Sequence, residues 1–370
     1  MPLVIKDIVH NHSERLEKIR EKMKGVDLAA IYLSAGPSMF YFTGFSGYGS
    51  GWPIWLTSVV IPVKGEAIAF LNGMHRDIAA YAGSWVSDFR THDDGEDPVP
   101  IMRQGLFDLG LSTGRMGVES SLWSAERELI LEAVPAVDLI DFQEEIDDLR
   151  MVKDDLEQSL IRKACRAIDT GIKTCYETAK VGSPGKQVPM AVVESMAIDG
   201  IIPAARNFDP FRYFVHRDMR DGDVISCDLG ATHGNYVGDA ARTVFVGSVS
   251  EEFNNIYDIL IDTRGQLLEM VKPGTRAEDL HNKACDLVAR TGYSQPWRIG
   301  HGIGLSPVHE QPLLQSGSRV ILQPGMVFVI DPGIHYPDPK RDLPIAIEDA
   351  LVVTEDGYEL LTTYTTKVIT

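Results

Sequence analysis

The sequence predicts an α/β (α+β) protein of two domains, residues 1–150 and 151–370, the second built from two similar halves. Three observations carry this. Short β-branched runs alternate with amphipathic helical segments along the chain. A strongly periodic helix opens just after Arg150. Four positions, Glu177, Lys180, Gly182 and Ser183, recur 92 residues later as Glu269, Lys272, Gly274 and Thr275, each set closing a long helical segment. With 370 residues, 44% of them apolar and 24% charged, the chain can bury two cores without a structural staple.

In the first domain Leu16, Ile19 and Met23 fall on one face of a helix over residues 13–24. The runs LAAIYL, WLTSVVIPV and AIAFL read as strands, residues 75–82 and 124–133 as helices, and residues 115–119 as a further strand. No phosphate-cradling glycine loop interrupts them. In the second domain Leu156, Leu160, Ile161, Ala164, Cys165, Ile168 and Ile172 repeat at i, i+3, i+4 behind Asp154 and Asp155, which suit a helix amino end. Each repeat copy leads into another helix, residues 187–198 and 277–291, and then into strands.

Charge and cysteine usage narrow the classes. A net charge of −18 is the wrong sign for a chain that tracks phosphates, so neither nucleic acid nor an anionic membrane is expected as partner. The opening MPLVIKDIVHNHSERLEKIREKMKG lacks the basic and apolar regions of a signal peptide, and no later stretch reaches the roughly 18 apolar residues of a spanning helix. Cys165, Cys175, Cys227 and Cys285 never form a C-x-x-C pair and sit in apolar segments, which fits core thiols in a reduced cytoplasm.

The residues able to do chemistry lie in the second domain. Residues 222–247, GDVISCDLGATHGNYVGDAARTVFVG, read as a hairpin with Asp228 ending one strand and Asp239 in the other. Such a hairpin is expected to bring the two carboxylates opposite one another, an arrangement that repels unless a cation lies between them. In IGHGIGLSPVHEQP, His301 lies between glycines, where a bare backbone lets an ion approach, and His309 and Glu310 follow eight residues later. MVFVIDPG ends an apolar strand on Asp331, and LPIAIEDALVV sets Glu348 in the middle of another, where a lone buried acid is costly. The remaining histidines, such as His10, His12, His75, His92 and His281, read as surface or core residues.

Four carboxylates and one imidazole (Asp228, Asp239, His301, Asp331 and Glu348) make a dinuclear metal set. Two divalent ions about 3.5–4 Å apart would activate a water and polarise an amide oxygen. Oxygen-rich ligation with one nitrogen favours manganese, cobalt, iron or zinc. For the substrate, Phe208, Phe211, Tyr213, Phe214, Trp52 and Trp55 are candidates for an aromatic wall suited to a proline ring or an alkylated cation. Arg206, Arg212, His216 and Arg298 are candidates for binding a carboxylate.

The second domain resembles the pita-bread metallohydrolases of peptidase family M24, in particular the Xaa-Pro peptidase and creatinase branch, which carries an amino-terminal creatinase-like α/β domain. The resemblance covers about residues 146–358 and rests on LRMVKDDLEQSLIRKA, DLGATHGNYVGDAART, GHGIGLSPVHEQP, MVFVIDPGIHY and IEDALVVTEDG. A weaker likeness lies in SMFYFTGFSG of the first domain. The resemblance implies a pseudo-symmetric pita-bread catalytic domain and a homodimer. It implies that Asp228, Asp239, His301, Asp331 and Glu348 hold the metals, and that His309 donates a hydrogen bond to the substrate carbonyl or to the tetrahedral oxyanion.

The activity so implied is metal-dependent hydrolysis of an amide bond in Xaa-Pro peptides, with Asp331 or Glu348 shuttling the proton. Three departures bear on substrate: Asp331 stands where the family has glutamate, Phe211 where its peptidases carry histidine (the nearest here is His216), and Ala346 where arginine is frequent. They keep open a same-fold hydrolase or lyase acting on a small zwitterionic metabolite, of the creatinase, ectoine hydrolase or dimethylsulfoniopropionate lyase type. They also predict weak or narrow activity on Xaa-Pro dipeptides, with a compact substrate against the aromatic wall as the real one. A binding module without catalysis is disfavoured, because all five ligand positions hold ligand-capable residues.

Overall fold

The computed structural model describes residues 11–45, 56–198, 200–204, 214–306, 309–338 and 341–365. The chain divides into two compact units, one ending at Arg150 and the other running from Met151.

The amino-terminal unit is a six-stranded mixed sheet flanked by helices. Helix α1 (His12–Gly25) is capped by Asn11, whose side chain accepts from the Glu14 amide, and it buries Arg15, Ile19 and Met23. The three expected strands form β1 (Ala30–Ser34), β2 (Thr57–Pro62) and β3 (Ile68–Asn72), separated by α2 (Pro37–Thr43) between the first two. They are followed by α3 (Arg76–Tyr81), β4 (Asp88–His92), α4 (Val99–Asp108), β5 (Thr113–Val118), α5 (Ser124–Ala133), β6 (Ala136–Asp141) and α6 (Gln143–Met151). The strand order is β4-β3-β2-β1-β5-β6, antiparallel in the β1–β3 meander and parallel where β4, β5 and β6 join. Strands β2 and β3 are buried along their whole length and β1 at all but its last residue, which is why they read as continuous apolar runs rather than alternating ones.

The second unit opens on α7 (Asp155–Thr178), whose start is a capping box: Asp154 accepts from the Glu157 amide and Glu157 from the Asp154 amide. Next come α8 (Gln187–Met196) and an antiparallel sheet of β7 (Ile202–Ala204), β8 (Asp223–His233) and β9 (Tyr236–Val246). The β8–β9 turn is Gly234–Asn235, both at positive φ, the two-residue loop that matches the strands' twist. Helices α9 (Glu251–Met270) and α10 (Ala277–Val288) precede β10 (Gly300–Gly302), β11 (Glu310–Leu313), β12 (Val327–Ile330), β13 (Gly333–Asp338), β14 (Arg341–Ala346), β15 (Asp349–Val353) and β16 (Tyr358–Leu360). The larger sheet runs β11-β10-β12-β15-β16, and β13 pairs with β14.

The internal repeat is built into the backbone. After α7, Gly182 at positive φ donates to the Met219 carbonyl (2.9 Å) while the Met219 amide donates to Ser183 (2.8 Å). After α9, Gly274, also at positive φ, donates to Leu322 (2.9 Å) while Leu322 donates to Thr275 (2.8 Å). Each half then packs helix on sheet: Ala164, Ile168 and Ile172 against Cys227, Leu229 and Ala240 in the first, and Leu267, Leu280 and Ala284 against Phe328, Ile330 and Leu351 in the second. This is the pseudo-symmetric α/β plan expected. Cys165, Cys175 and Cys227 are buried free thiols, and among the described residues no helix is long and apolar enough to cross a membrane.

Candidate metal centre

The two halves meet where β9 runs beside the β14–β15 junction. The Ala241 amide donates to the Glu348 carbonyl (3.3 Å) and the Glu348 amide to the Ala241 carbonyl (3.0 Å). Glu348 therefore sits between two strands rather than in the middle of one, and the residue is 4% exposed. The β8–β9 register pairs Asp228 with Ala241 and Gly230 with Asp239. The two aspartates are thus diagonal neighbours offset by two residues, not directly opposite; they still share a sheet face, because side chains alternate with a period of two. Asp331 follows β12 directly, and its backbone carbonyl accepts from Trp297 Nε1 (3.1 Å) and Gln295 Nε2 (3.4 Å).

His301 is central in β10, paired with Val329 on one side and Leu313 on the other. Its flanking glycines serve strand packing rather than ion approach. A Cβ on Gly300 would stand 2.1 Å from the Val329 carbonyl oxygen, and one on Gly302 would stand 2.0 Å from that of Gln311. The ring's Nδ1 lies 3.1 Å from the Gly302 carbonyl, which fixes the proton there and leaves the Nε2 lone pair pointing at the acids. Nε2 is 3.5 Å from Glu348 Oε1 and 3.9 Å from Asp239 Oδ2.

These groups line one cavity of about 270 Å³. Asp228, Asp239, His301, His309, Asp331 and Glu348 face it, together with Arg298 and Trp297. Ser226, Ala241, Pro344 and Ala346 complete the wall, so a methyl stands at position 346, where the family resemblance leads one to expect arginine. His309 is exposed, and its ring lies over that of His301 with centroids 3.9 Å apart and a tilt of 33°.

The electrostatics fit a cation site. Burial and the facing carboxylates of Glu348 and Asp228 push the carboxyls of Asp239 and Asp331 well above their usual range, and burial with Asp228 and Asp349 does the same to Glu348. Burial holds His301 below its ordinary value, hence neutral, as a ligand must be. One ligand atom each from Asp239, His301 and Glu348 lie within 4.8 Å of one another. Asp331 Oδ1 is buried without a hydrogen-bond partner among the described residues. Acids that repel, a neutral imidazole with an outward lone pair and an orphaned carboxylate oxygen are what divalent ions would satisfy.

Arg242 braces the back of the site. Its fully buried guanidinium donates to the carbonyls of Ala241 (2.8 Å) and Glu348 (2.6 Å) and to Asp349 Oδ1 (2.7 Å). Asp349 also takes Arg264 Nε and, at 2.8 Å, the Thr362 hydroxyl.

Some substrate candidates do not reach this cavity. His216 is exposed in a turn and is not part of its wall. Phe214 is 1% exposed inside the α7–β8 core, with Arg217 stacked 4.9 Å from its ring, so it serves packing. Trp52, Trp55, Arg206, Phe208, Phe211, Arg212 and Tyr213 lie outside the described residues. Arg298 does line the cavity, with its Nε buried and no hydrogen-bond partner among the described residues. Trp297, Ser226 and Arg242 went unnoticed in the sequence. For Trp297 the signal was adjacency to the glycine-set histidine; for Arg242, a charged residue within an apolar strand.

Comparison with known proteins agrees with this geometry. The family model described as metallopeptidase family M24 matches residues 155–355, and that of the creatinase/prolidase N-terminal domain matches residues 15–152. The Xaa-Pro dipeptidase of Pyrococcus furiosus is 27% identical over 364 residues, spanning 94% of this chain and 97% of its own. The probable dipeptidase PepE of Mycobacterium tuberculosis is 30% identical over 318 residues, 82% of each chain. Among solved structures, dipeptidase PepE from Mycobacterium ulcerans superposes with a TM-score of 0.83 at 26% identity, covering 97% of both chains. The prolidase from Pyrococcus horikoshii OT3 gives 0.80 at 26% identity, covering 96% of this chain and 100% of its own. With residues 155–355 of its catalytic unit matched and a creatinase/prolidase-type unit ahead of them, the chain belongs to metallopeptidase family M24 and is a metal-dependent peptidase.

Proposed function

We propose that the chain is an Xaa-Pro dipeptidase that hydrolyses the amide bond before proline. The observation that carries the reading is the convergence of Asp228, Asp239, His301, Asp331 and Glu348 on one cavity beside His309 and Arg298, whose buried Nε has no hydrogen-bond partner among the described residues. The dipeptidase names of the similar proteins support it. The five side chains would hold two divalent ions, with manganese, cobalt, zinc and iron as candidates. Such ions supply Lewis acidity to the amide carbonyl and lower the pKa of a water.

The chain's own groups do the rest. His309, exposed at the cavity and stacked on His301, donates to the substrate carbonyl as it gains negative charge. Asp331 or Glu348 carries the proton to the leaving nitrogen. Arg298 binds the substrate's terminal carboxylate; it is the lysine or arginine among the described residues of the wall. Domain limits of 1–150 and 151–370, a cytoplasmic location and a homodimer belong to the same reading, the last resting on the family resemblance.

The test is hydrolysis of Ala-Pro, Leu-Pro and Met-Pro by metal-stripped protein reloaded with manganese, cobalt or zinc, beside elemental analysis of protein as purified. Hydrolysis that disappears with chelator and returns with metal supports the reading. Failure with all three ions and all three dipeptides, with hydrolysis of a small zwitterionic amide instead, transfers the site to metabolite chemistry.

A further inference from the structure

Among the described residues of the catalytic unit, two Lys/Arg–carboxylate pairs are shut away from water on both sides. The first, Arg242–Asp349, braces the strand junction described above. The second joins Lys153, just ahead of α7, to Glu310, the first residue of β11: Lys153 Nζ lies 2.8 Å from Glu310 Oε1, with the side chains 1% and 6% exposed. Withdrawing two charges from water is costly, and apolar replacements of the same volume are often as stable, so such a pair is weak evidence for stability alone. Its value has to be sought in what it holds.

It holds the segment that carries His309. Glu310 is the next residue, and its other oxygen, Oε2, accepts from the Ser306 amide at 3.2 Å, so one carboxylate grips both sides of His309. The space is cut to fit: a Cβ on Gly304 would stand 2.3 Å from Glu310 Oε1 and 3.1 Å from Lys153 Cε. The Gly304 carbonyl in turn accepts from the Val237 amide at 2.7 Å, two residues from Asp239. Lys153 is itself pinned. Its amide donates to the Gly325 carbonyl (2.9 Å), and its carbonyl accepts from Gln158 Nε2 (2.9 Å). The His309 ring is exposed and rests on His301.

We propose that the Lys153–Glu310 pair is a positioning device that sets the backbone on both sides of His309 and so delivers its imidazole over His301 at the cavity. Lys153 and Glu310 are positioning residues in this scheme, without contact to substrate. The inference rests on the reading of His309 as donor to the substrate carbonyl.

The test compares Lys153→Met, Glu310→Gln, the double variant and His309→Ala as metal-loaded enzymes on Leu-Pro. Metal content, melting temperature and the His309 ring NMR signal of the metal-free protein are measured alongside. Each single change strands a buried charge and lowers the melting temperature; the double variant strands none and recovers most of it. If the pair positions His309, the double variant still binds metal in full with an unchanged KM, its kcat is down about 10- to 100-fold, as for a displaced catalytic group, and its His309 signal is shifted. Should the single variants not fold, the double variant and Lys153→Arg, which keeps the charge but changes its reach, carry the comparison. A double variant with parental kcat and an unshifted His309 signal, beside a slow His309→Ala, overturns the positioning role alone. A parental rate in His309→Ala overturns the reading of His309 itself, and the pair's purpose with it.

Discussion

Arg298 offers the sharpest test of what the cavity accepts. Its guanidinium shares a wall with four carboxylates, and its Nε is buried without a hydrogen-bond partner among the described residues. A dipeptide brings a terminal carboxylate that can take that donor in a charge-assisted, bidentate contact. Hydrogen bonds to charged groups contribute about 1.5–3 kcal/mol net, so Arg298→Met, which keeps the length of the side chain, should cost about 2–3 kcal/mol. At 1.4 kcal/mol per tenfold this is about 30- to 150-fold in kcat/KM on Leu-Pro.

Arg298 also acts electrostatically on His301 and Asp331, so its removal can disturb the metals as well. The assay therefore sets Leu-Pro against Leu-Pro amide, which lacks the carboxylate but undergoes the same chemistry. Any loss through the metals falls on both substrates, whereas loss of the carboxylate contact falls only on the acid. The parent enzyme should prefer the acid by about the factor above, the variant should show almost no preference, and Arg298→Lys should keep part of it. A preference that survives Arg298→Met unchanged would refute the assignment.

Three further outcomes are expected. Asp239→Asn removes a charge from the most crowded carboxylate and should lower metal content and activity together by elemental analysis and Leu-Pro turnover; full metal content at full rate would show that Asp239 is no ligand. Gly302→Ala drives a methyl into the Gln311 carbonyl and should cost about 1–3 kcal/mol or more in urea unfolding, whereas Gly265→Ala, in open space on α9, should gain about 0.5–1 kcal/mol from helix propensity. Equal effects would mean that β10 has room to spare. In the amino-terminal unit burial, then the nearby Arg15 charge, depresses His12 to about 4 from 6.5. The folded state thus binds the proton less tightly than the unfolded chain, so the stability is present in full above pH 6.5 and is lost as pH falls toward 4. At 1.36 kcal/mol per unit the ceiling is about 3 kcal/mol, and screening at a partly exposed ring brings it to about 1–2 kcal/mol. Urea unfolding of His12→Gln at pH 7.5 and 4.5 should therefore show a smaller acid loss than the parent, and an identical loss would exclude His12 as the cause.

What the sequence determined by itself was whatever has a local signature. The helix at 155–178 follows from its apolar spacing and capping pair, and the buried meander from continuous β-branched runs. The family follows from five motifs whose residue types are fixed by chemistry. The 92-residue repeat, four matched positions in the chain, became two identical backbone turns. The tertiary structure alone decided how side chains from separate strands meet. It offset Asp228 from Asp239 by two residues, set Glu348 at a strand junction, and gave the glycines beside His301 to strand packing. It also left His216 in solvent and Phe214 in a core while bringing Trp297 and Arg298 to the cavity. Lys153 and Glu310, 157 residues apart, share a buried bond that no periodicity announces. Local pattern encodes which face of an element is buried; which distant group lies across from it depends on register, crossover and loop closure, and those are properties of the whole folded chain.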